Sequence, residues 1–244
     1  MSLHSALTLT AALICTAQAM PAAAQTLPEF VPGNFATAVA NPYFPLEPGQ
    51  SHTIAGTGVV EGETVTEHAV LTVLGAGPVI MGVMTVVMLD EAFENGVIVE
   101  RTFDYYATDQ DGNVWYMGED VTNFRYDGAG GFTGTDTDSA WRAGVNGALP
   151  GIAMPAVPAV GVSLFQEHAP GEDAMDYAEI LLLDAEVTGP AGRFVDVIKM
   201  FEGSTVDPEQ REFKYWAAGY GMIRAEEALS DANDQPGLVV ELQP

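Results

Sequence analysis

The feature that most constrains this chain is the spacing of its turn residues. From residue 51 onward, short runs rich in Val, Ile, Thr and aromatic residues alternate with Gly, Asp, Asn and Pro at short intervals. Asn95-Gly96 is the strongest hairpin signal, because both residues tolerate the positive φ of a type I′ turn. It joins a run over 79–93 to another over 97–107, in which Val97, Val99, Phe103 and Tyr105 fall on one face by period-two alternation. Glu61-Gly62 and Asp111-Gly112 mark further reversals, and Gly75-Ala76-Gly77-Pro78 reads as a strand break. The second half repeats the style, with strand-like runs over 165–168, 175–187, 193–202, 211–217 and 222–226. Few windows carry a 3.6-residue apolar stripe, so the chain predicts an all-β fold with little helix. Residues 127–158, rich in Gly, Asp, Thr and Pro, read as a long connection carrying Trp141.

The halves also match residue by residue. Arg101-Thr102-Phe103-Asp104-Tyr105-Tyr106-Ala107 aligns with Arg211-Glu212-Phe213-Lys214-Tyr215-Trp216-Ala217 at an offset of 110. Residues 83–88 parallel 195–200, and Pro48-Gly49-Gln50-Ser51 echoes Val160-Gly161-Val162-Ser163, both at an offset of 112. The expectation is a single β domain over 41–230, an antiparallel barrel or half-barrel built from two similar meanders, 41–120 and 153–230. Phe103 and Phe213 are then expected at equivalent inward positions. Residues 25–40 read as a Pro- and Ala-rich linker, and 231–244 as an acidic C-terminal tail.

The first residues have a separate purpose. Residues 6–15 form an unbroken apolar and small-residue run, too short for a membrane span of about 20 residues but suited to a signal-peptide core. Ala22-Ala23-Ala24 precedes Gln25, so 1–24 is expected to be a signal peptide cut after Ala24, and the mature protein periplasmic or secreted. Met1-Ser2-Leu3-His4 carries no Lys or Arg, which a start codon assigned too far downstream would explain. The one cysteine, Cys15, lies in this leader behind Ile14, not behind the small residue that lipidation needs. The mature chain therefore lacks thiols, which excludes disulfides, thiolate metal sites and a cysteine nucleophile.

The 34 carboxylates outweigh eight Lys and Arg for a net charge of −26, all downstream of the leader. Such a chain repels nucleic acid and anionic membrane surfaces, because polyphosphate affinity comes from Lys and Arg displacing counterions. No later apolar run is long enough for a transmembrane segment. Hydrophobic residues make up 48% of the chain, enough to fill a core and to exclude disorder.

Four segments carry a resemblance when taken together. They are Asn41-Pro42-Tyr43-Phe44-Pro45-Leu46-Glu47-Pro48-Gly49, the stretch from Asp109 through Gly112 and Trp115 to Glu119, Gly151-Ile152-Ala153-Met154-Pro155, and the stretch from Lys214 to Ile223. The chain resembles, over nearly all of its mature length, a family of exported bacterial proteins of uncharacterised function. That resemblance implies export and no chemistry. A looser architectural likeness is to lipocalin-like and lipoprotein-carrier half-barrels, which implies an apolar groove; fold alone does not fix function.

Candidate chemistry is sparse. Glu100 and Asp104 share a strand face with Thr102 and form the candidate carboxylate pair of a carbohydrate-active enzyme. Glu167, His168, Glu172 and Asp173, with Asp176 nearby, form an acidic stretch able to offer oxygens to a divalent cation such as calcium. Asp109-Gln110-Asp111-Gly112-Asn113 fails the calcium-loop spacing and reads as a tight turn. His52, His68 and His168 form no metal-binding motif, and Gly161-Val162-Ser163-Leu164-Phe165 lacks the second glycine of a nucleophile elbow. The leading expectation is a non-enzymatic binding or carrier protein with an apolar groove for a small apolar or lipid-like ligand. The alternatives are an acidic cation-binding protein and the carboxylate-pair enzyme.

Overall fold

A computed structural model describes residues 25–230 and 233–244; the expected signal peptide lies outside the described residues. The fold is all-β and antiparallel. In chain order the strands are β1 (Ser51–Val60), β2 (Glu63–Ile80), β3 (Val83–Glu94), β4 (Val97–Thr108), β5 (Val114–Tyr126), β6 (Phe132–Asp136), β7 (Trp141–Arg142) and β8 (Leu149–Met154). There follow β9 (Ser163–Phe165), β10 (Glu167–His168), β11 (Asp176–Gly189), β12 (Gly192–Ser204), β13 (Arg211–Ala217), β14 (Gly221–Glu227) and β15 (Leu238–Leu242). Among the described residues the only helical element is one 3₁₀ turn, Pro32–Phe35.

The main path of the sheet runs β10-β8-β5-β4-β3-β2-β1-β15-β14-β13-β12-β11-β9. Its two ends belong to one short stretch of chain. β9 pairs with β11 and the adjoining β10 pairs with β8, so residues 163–168 bring the two edges together into a nearly closed barrel. A closed ladder leaves no long edge for foreign strands to join. Glycine permits both seams: a Cβ on Gly151 would lie 2.3 Å from the Gln166 carbonyl oxygen, and one on Gly56 would lie 1.8 Å from that of Val239.

The two meanders are similar strand by strand. Val86 pairs with Tyr106 and Leu89 with Phe103 in the first. Ile198 pairs with Trp216 and Phe201 with Phe213 in the second, so the ladder keeps the sequence offsets of 112 and 110. Asp90 opposite Thr102 likewise matches Glu202 opposite Glu212.

Several expectations are corrected. Gly75 to Pro78 does not end a strand; β2 continues through bulges there, and the chain reverses instead at Met81-Gly82, with Met81 at φ 48°. Residues 127–158 are not one loose connection, since β6 and β7 pair with β5 and β8 extends the barrel wall. The expected acidic tail contains β15, inserted between β1 and β14 with Val240 fully buried. The expected linker is a strap: Phe30 and Phe35 meet Trp115 edge-on at 5.4 and 5.9 Å, and the Thr26 amide donates to the Ser163 carbonyl. Phe103 and Phe213 do hold matching positions, but both are half-buried on the faces turned away from the barrel cavity.

Candidate functional site

Period-two alternation explains what fills the barrel. On β4 the face opposite Phe103 and Tyr105 carries Glu100, Thr102, Asp104 and Tyr106, and on β13 the matching face carries Glu212, Lys214 and Trp216. These residues line a cavity of about 260 Å³ between the two meanders. Eight carboxyl groups border it: Asp90, Glu100, Asp104 and Glu119 from the first meander, Asp176, Glu202 and Glu212 from the second, and Glu167 from the closing stretch. One ammonium, that of Lys214, faces them.

The first meander's wall is not neutralised. Burial pushes Asp90 up to about 8, with the Asp104 and Glu100 charges adding to it. Its Oδ1 is cut off from solvent and has no hydrogen-bond partner. Burial also raises Asp104 to about 7, against the opposing effect of its bond with Tyr116. The Tyr116 hydroxyl lies 2.5 Å from Asp104 Oδ1 and 2.8 Å from Glu119 Oε2. A phenol has one proton to donate, so when both contacts are hydrogen bonds one carboxyl must be protonated and donate to the phenol oxygen. Glu119 and Glu167 are both held well above the ordinary carboxylate range, first by burial and then by neighbouring carboxylates. The raised carboxyls keep their protons more readily, and this wall brings no cation of its own to the cavity.

The second meander's wall closes on itself. Lys214 Nζ lies 2.7 Å from Glu202 and 3.0 Å from Glu212. Burial works against its charge, but the two carboxylates outweigh that and raise it well above the ordinary lysine value. Gln166 Nε2 donates to Glu202 at 3.2 Å, and Gln210 Nε2 donates to Asp176 at 2.9 Å.

A second, mainly apolar chamber of about 380 Å³ adjoins the first, lined by Pro45, Val73, Tyr220 and Leu242 with His52 among them. Burial lowers the histidine, keeping it neutral more readily. Phe44, Leu71, Met88, Trp216 and Met222 border both chambers. Phe44 stands at this waist, stacked on Trp216 at 5.2 Å and tilted against Tyr106 at 4.8 Å; Tyr106 in turn stacks on Tyr116 at 4.8 Å.

The four sequence segments converge on that plug. Asn41 Nδ2 donates to the Gly112 and Pro155 carbonyls, and the Gly219 amide donates to the Pro42 carbonyl. Asp109, buried in its turn, accepts from the Asp111 and Asn113 amides, Asn113 Nδ2 and Trp115 Nε1. Burial works to raise Asp109, but these bonds outweigh it and its value is lowered. The segments thus hold the wall and plug together, and Asp109 organises a turn.

The candidate residues divide. Glu100, Asp104 and Glu167 all reach the acidic cavity. His168 packs edge-on against Phe165, Glu172 accepts from Asn146 Nδ2, and Asp173 is exposed on a loop at φ 57°. No group of three or more His, Cys, Asp or Glu among the described residues has metal-holding geometry. Sequence reading missed Asp90, Glu119, Glu202, Glu212 and Lys214. The clue was present in the even-numbered polar residues of β4 and their partners at an offset of 110, but the apolar odd face was taken as the inward one.

Scans against protein-family profiles and the curated proteins returned no match. Among solved structures the chain is similar to a protein of Bacteroides fragilis NCTC 9343, classed as exported and of YmcC-like fold, with 15% identity over 84% of this chain and 98% of that one and a TM-score of 0.42. A protein of Parabacteroides distasonis ATCC 8503, classed as a lipoprotein, gives 14% identity, the same coverage and a TM-score of 0.42. A likeness of this degree fixes no chemistry for this chain.

Proposed function

We propose that this chain is an exported, non-enzymatic carrier that holds a small amphiphile inside its barrel. The observation that carries the reading is the apolar chamber of about 380 Å³, bordered by Leu71, Val73, Met88, Trp216 and Leu242 and continuous in its lining with a polar cavity. Ligand sites are typically concave, mostly apolar and supplied with a few polar groups at one end. Export is supported by the short apolar run before Ala22-Ala23-Ala24. Among the described residues no helix is long and apolar enough to cross a membrane.

Displacement of a fluorescent apolar probe by medium-chain amphiphiles tests the reading. The folded protein should bind the probe, and Val73→Trp, which fills the chamber, should abolish binding while leaving the circular dichroism of the barrel intact. Equal binding by wild type and Val73→Trp would remove the chamber as the site. N-terminal sequencing of periplasmic material should begin near Gln25.

A further inference from the structure

The apolar chamber accounts for one end of an amphiphile and leaves open what the other end must be. Eight carboxyl groups face one ammonium in the adjoining cavity, and that ammonium is already held by Glu202 and Glu212. Taking a carboxylate out of water is costly unless a cation or hydrogen-bond donors replace the lost hydration. The second meander meets part of this need through Lys214, whereas the first brings no cation of its own to the cavity. Asp90 Oδ1, closed off from solvent and without a partner, is the atom where the need is most exposed. It sits among Asp104, Glu100 and Glu67, with Lys214 the one opposing charge acting on it. Phe44 and Trp216 line both this cavity and the apolar chamber, so the two spaces share a wall of aromatic rings.

We infer that the ligand is a cationic amphiphile, its ammonium seated against Asp90 and Asp104 and its hydrocarbon part in the chamber beside Leu71, Val73 and Trp216. The inference rests on the carrier reading above. Burial, with neighbouring carboxylates adding to it, raises Asp90 to about 8 and Asp104 to about 7, so near neutral pH this pair still carries protons. An entering ammonium takes the place of those protons and releases them. A carboxylate-headed ligand cannot replace those protons with a positive charge and adds a further acid to the eight that border the cavity, so it binds weakest.

The test compares decylammonium, decanol and decanoate, each below its micellar concentration, by calorimetry at neutral pH. Decylammonium should bind about tenfold or more tighter than decanol, the worth of one charge-assisted bond in a dry site, and decanoate should bind weakest. Asp90→Asn should bring decylammonium down to the level of decanol and leave decanol unchanged. Asp173→Asn removes the same unit of charge from an exposed loop and should leave the selectivity intact. Equal losses in the two variants would mean general attraction to an acidic protein and would overturn the inference. Equal binding of all three probes by wild type would overturn it too, while leaving the apolar carrier standing. Failure of every probe to bind would remove both readings.

Discussion

Asp104 on β4 and Lys214 on β13 hold matching positions in matching hairpins, and so do Asp90 and Glu202 on the strands beside them. In the second meander the ammonium sits between two carboxylates within 3.0 Å, although burial still raises Glu202 and Asp176 there. In the first the same place is taken by another acid, and protons fill the gap. Two related scaffolds therefore divide the work. One wall is built for stability, and the other retains an unmet demand for positive charge. Unmet demands of this kind are tolerated where a ligand meets them, because a perturbed, buried ionisable group in a cavity is costly to keep otherwise.

The comparison is most exposed to a change at its one ammonium. Lys214→Met should cost about 2–3 kcal/mol at neutral pH, less than the 3–5 of a fully buried ion pair because the lysine side chain keeps 25% of its exposure. Urea unfolding would measure it. A cost under ~1 kcal/mol would show that the two walls do not differ in the way described.

The pH dependence comes next. In the unfolded chain an aspartate gives up its proton near 3.8, whereas folded Asp104 and Asp90 keep theirs to about 7 and 8. Between those values the folded state binds more protons, so stability is greatest at the acid end of the window and falls as pH rises to about 8. Asp109, whose value is lowered, acts in the other direction, and only below that window. Asp90→Asn should flatten the fall and raise the melting temperature near pH 8, whereas Glu202→Gln, which removes a raised carboxyl but also a partner of Lys214, should lower the melting temperature. A profile that rises across this range in wild type would contradict the protonated wall.

Phe103→Ala and Phe213→Ala sharpen the equivalence of the halves at a smaller scale. Each ring is half-buried, and Lys199 Nζ sits 3.8 Å above the Phe213 ring. Each truncation should cost about 1–2 kcal/mol, less than the 3–5 typical of a fully buried phenylalanine. Unequal costs would mean that matching positions bear unequal loads. The smallest effect belongs to the exposed loop: Asp173→Asn should change stability by less than ~0.5 kcal/mol. Calcium should raise the melting temperature no more than sodium at equal ionic strength. A calcium-specific rise that Asp173→Asn removes would restore the stretch from Glu167 to Asp176 as a cation site.

Much of the fold was legible. Asn95-Gly96 is the turn its residue types predict, with φ of 49° at Asn95, and Glu61-Gly62 reverses the chain as its glycine suggested, with φ of 51° at Glu61. The offset of 110 located the matching strands because aromatic and small residues at fixed spacing survive wherever the same hairpin must pack. Met81-Gly82 escaped notice because nothing in a methionine signals positive φ; the flanking strands impose it. β15 escaped because five residues carry too little pattern to be told from a tail, and only the gap between β1 and β14 gives them a place.

The candidate site was half legible for a related reason. Alternation on β4 separates Glu100, Thr102 and Asp104 from Phe103 and Tyr105, and that split is visible in the residues alone. Which face turns inward is not. The hydrophobic rule favoured the odd face, and it fails here because Arg142 lies over the Tyr105 ring on that face while the even face encloses a cavity. The sequence by itself showed most of the strands and turns, the match between the halves and the excess of acid. Only the tertiary structure decided that the acid is inside, because the side of a strand that faces inward depends on how the sheet closes, and closure is made by residues 163–168 pairing with β8 and β11, near them in the chain but at opposite ends of the sheet.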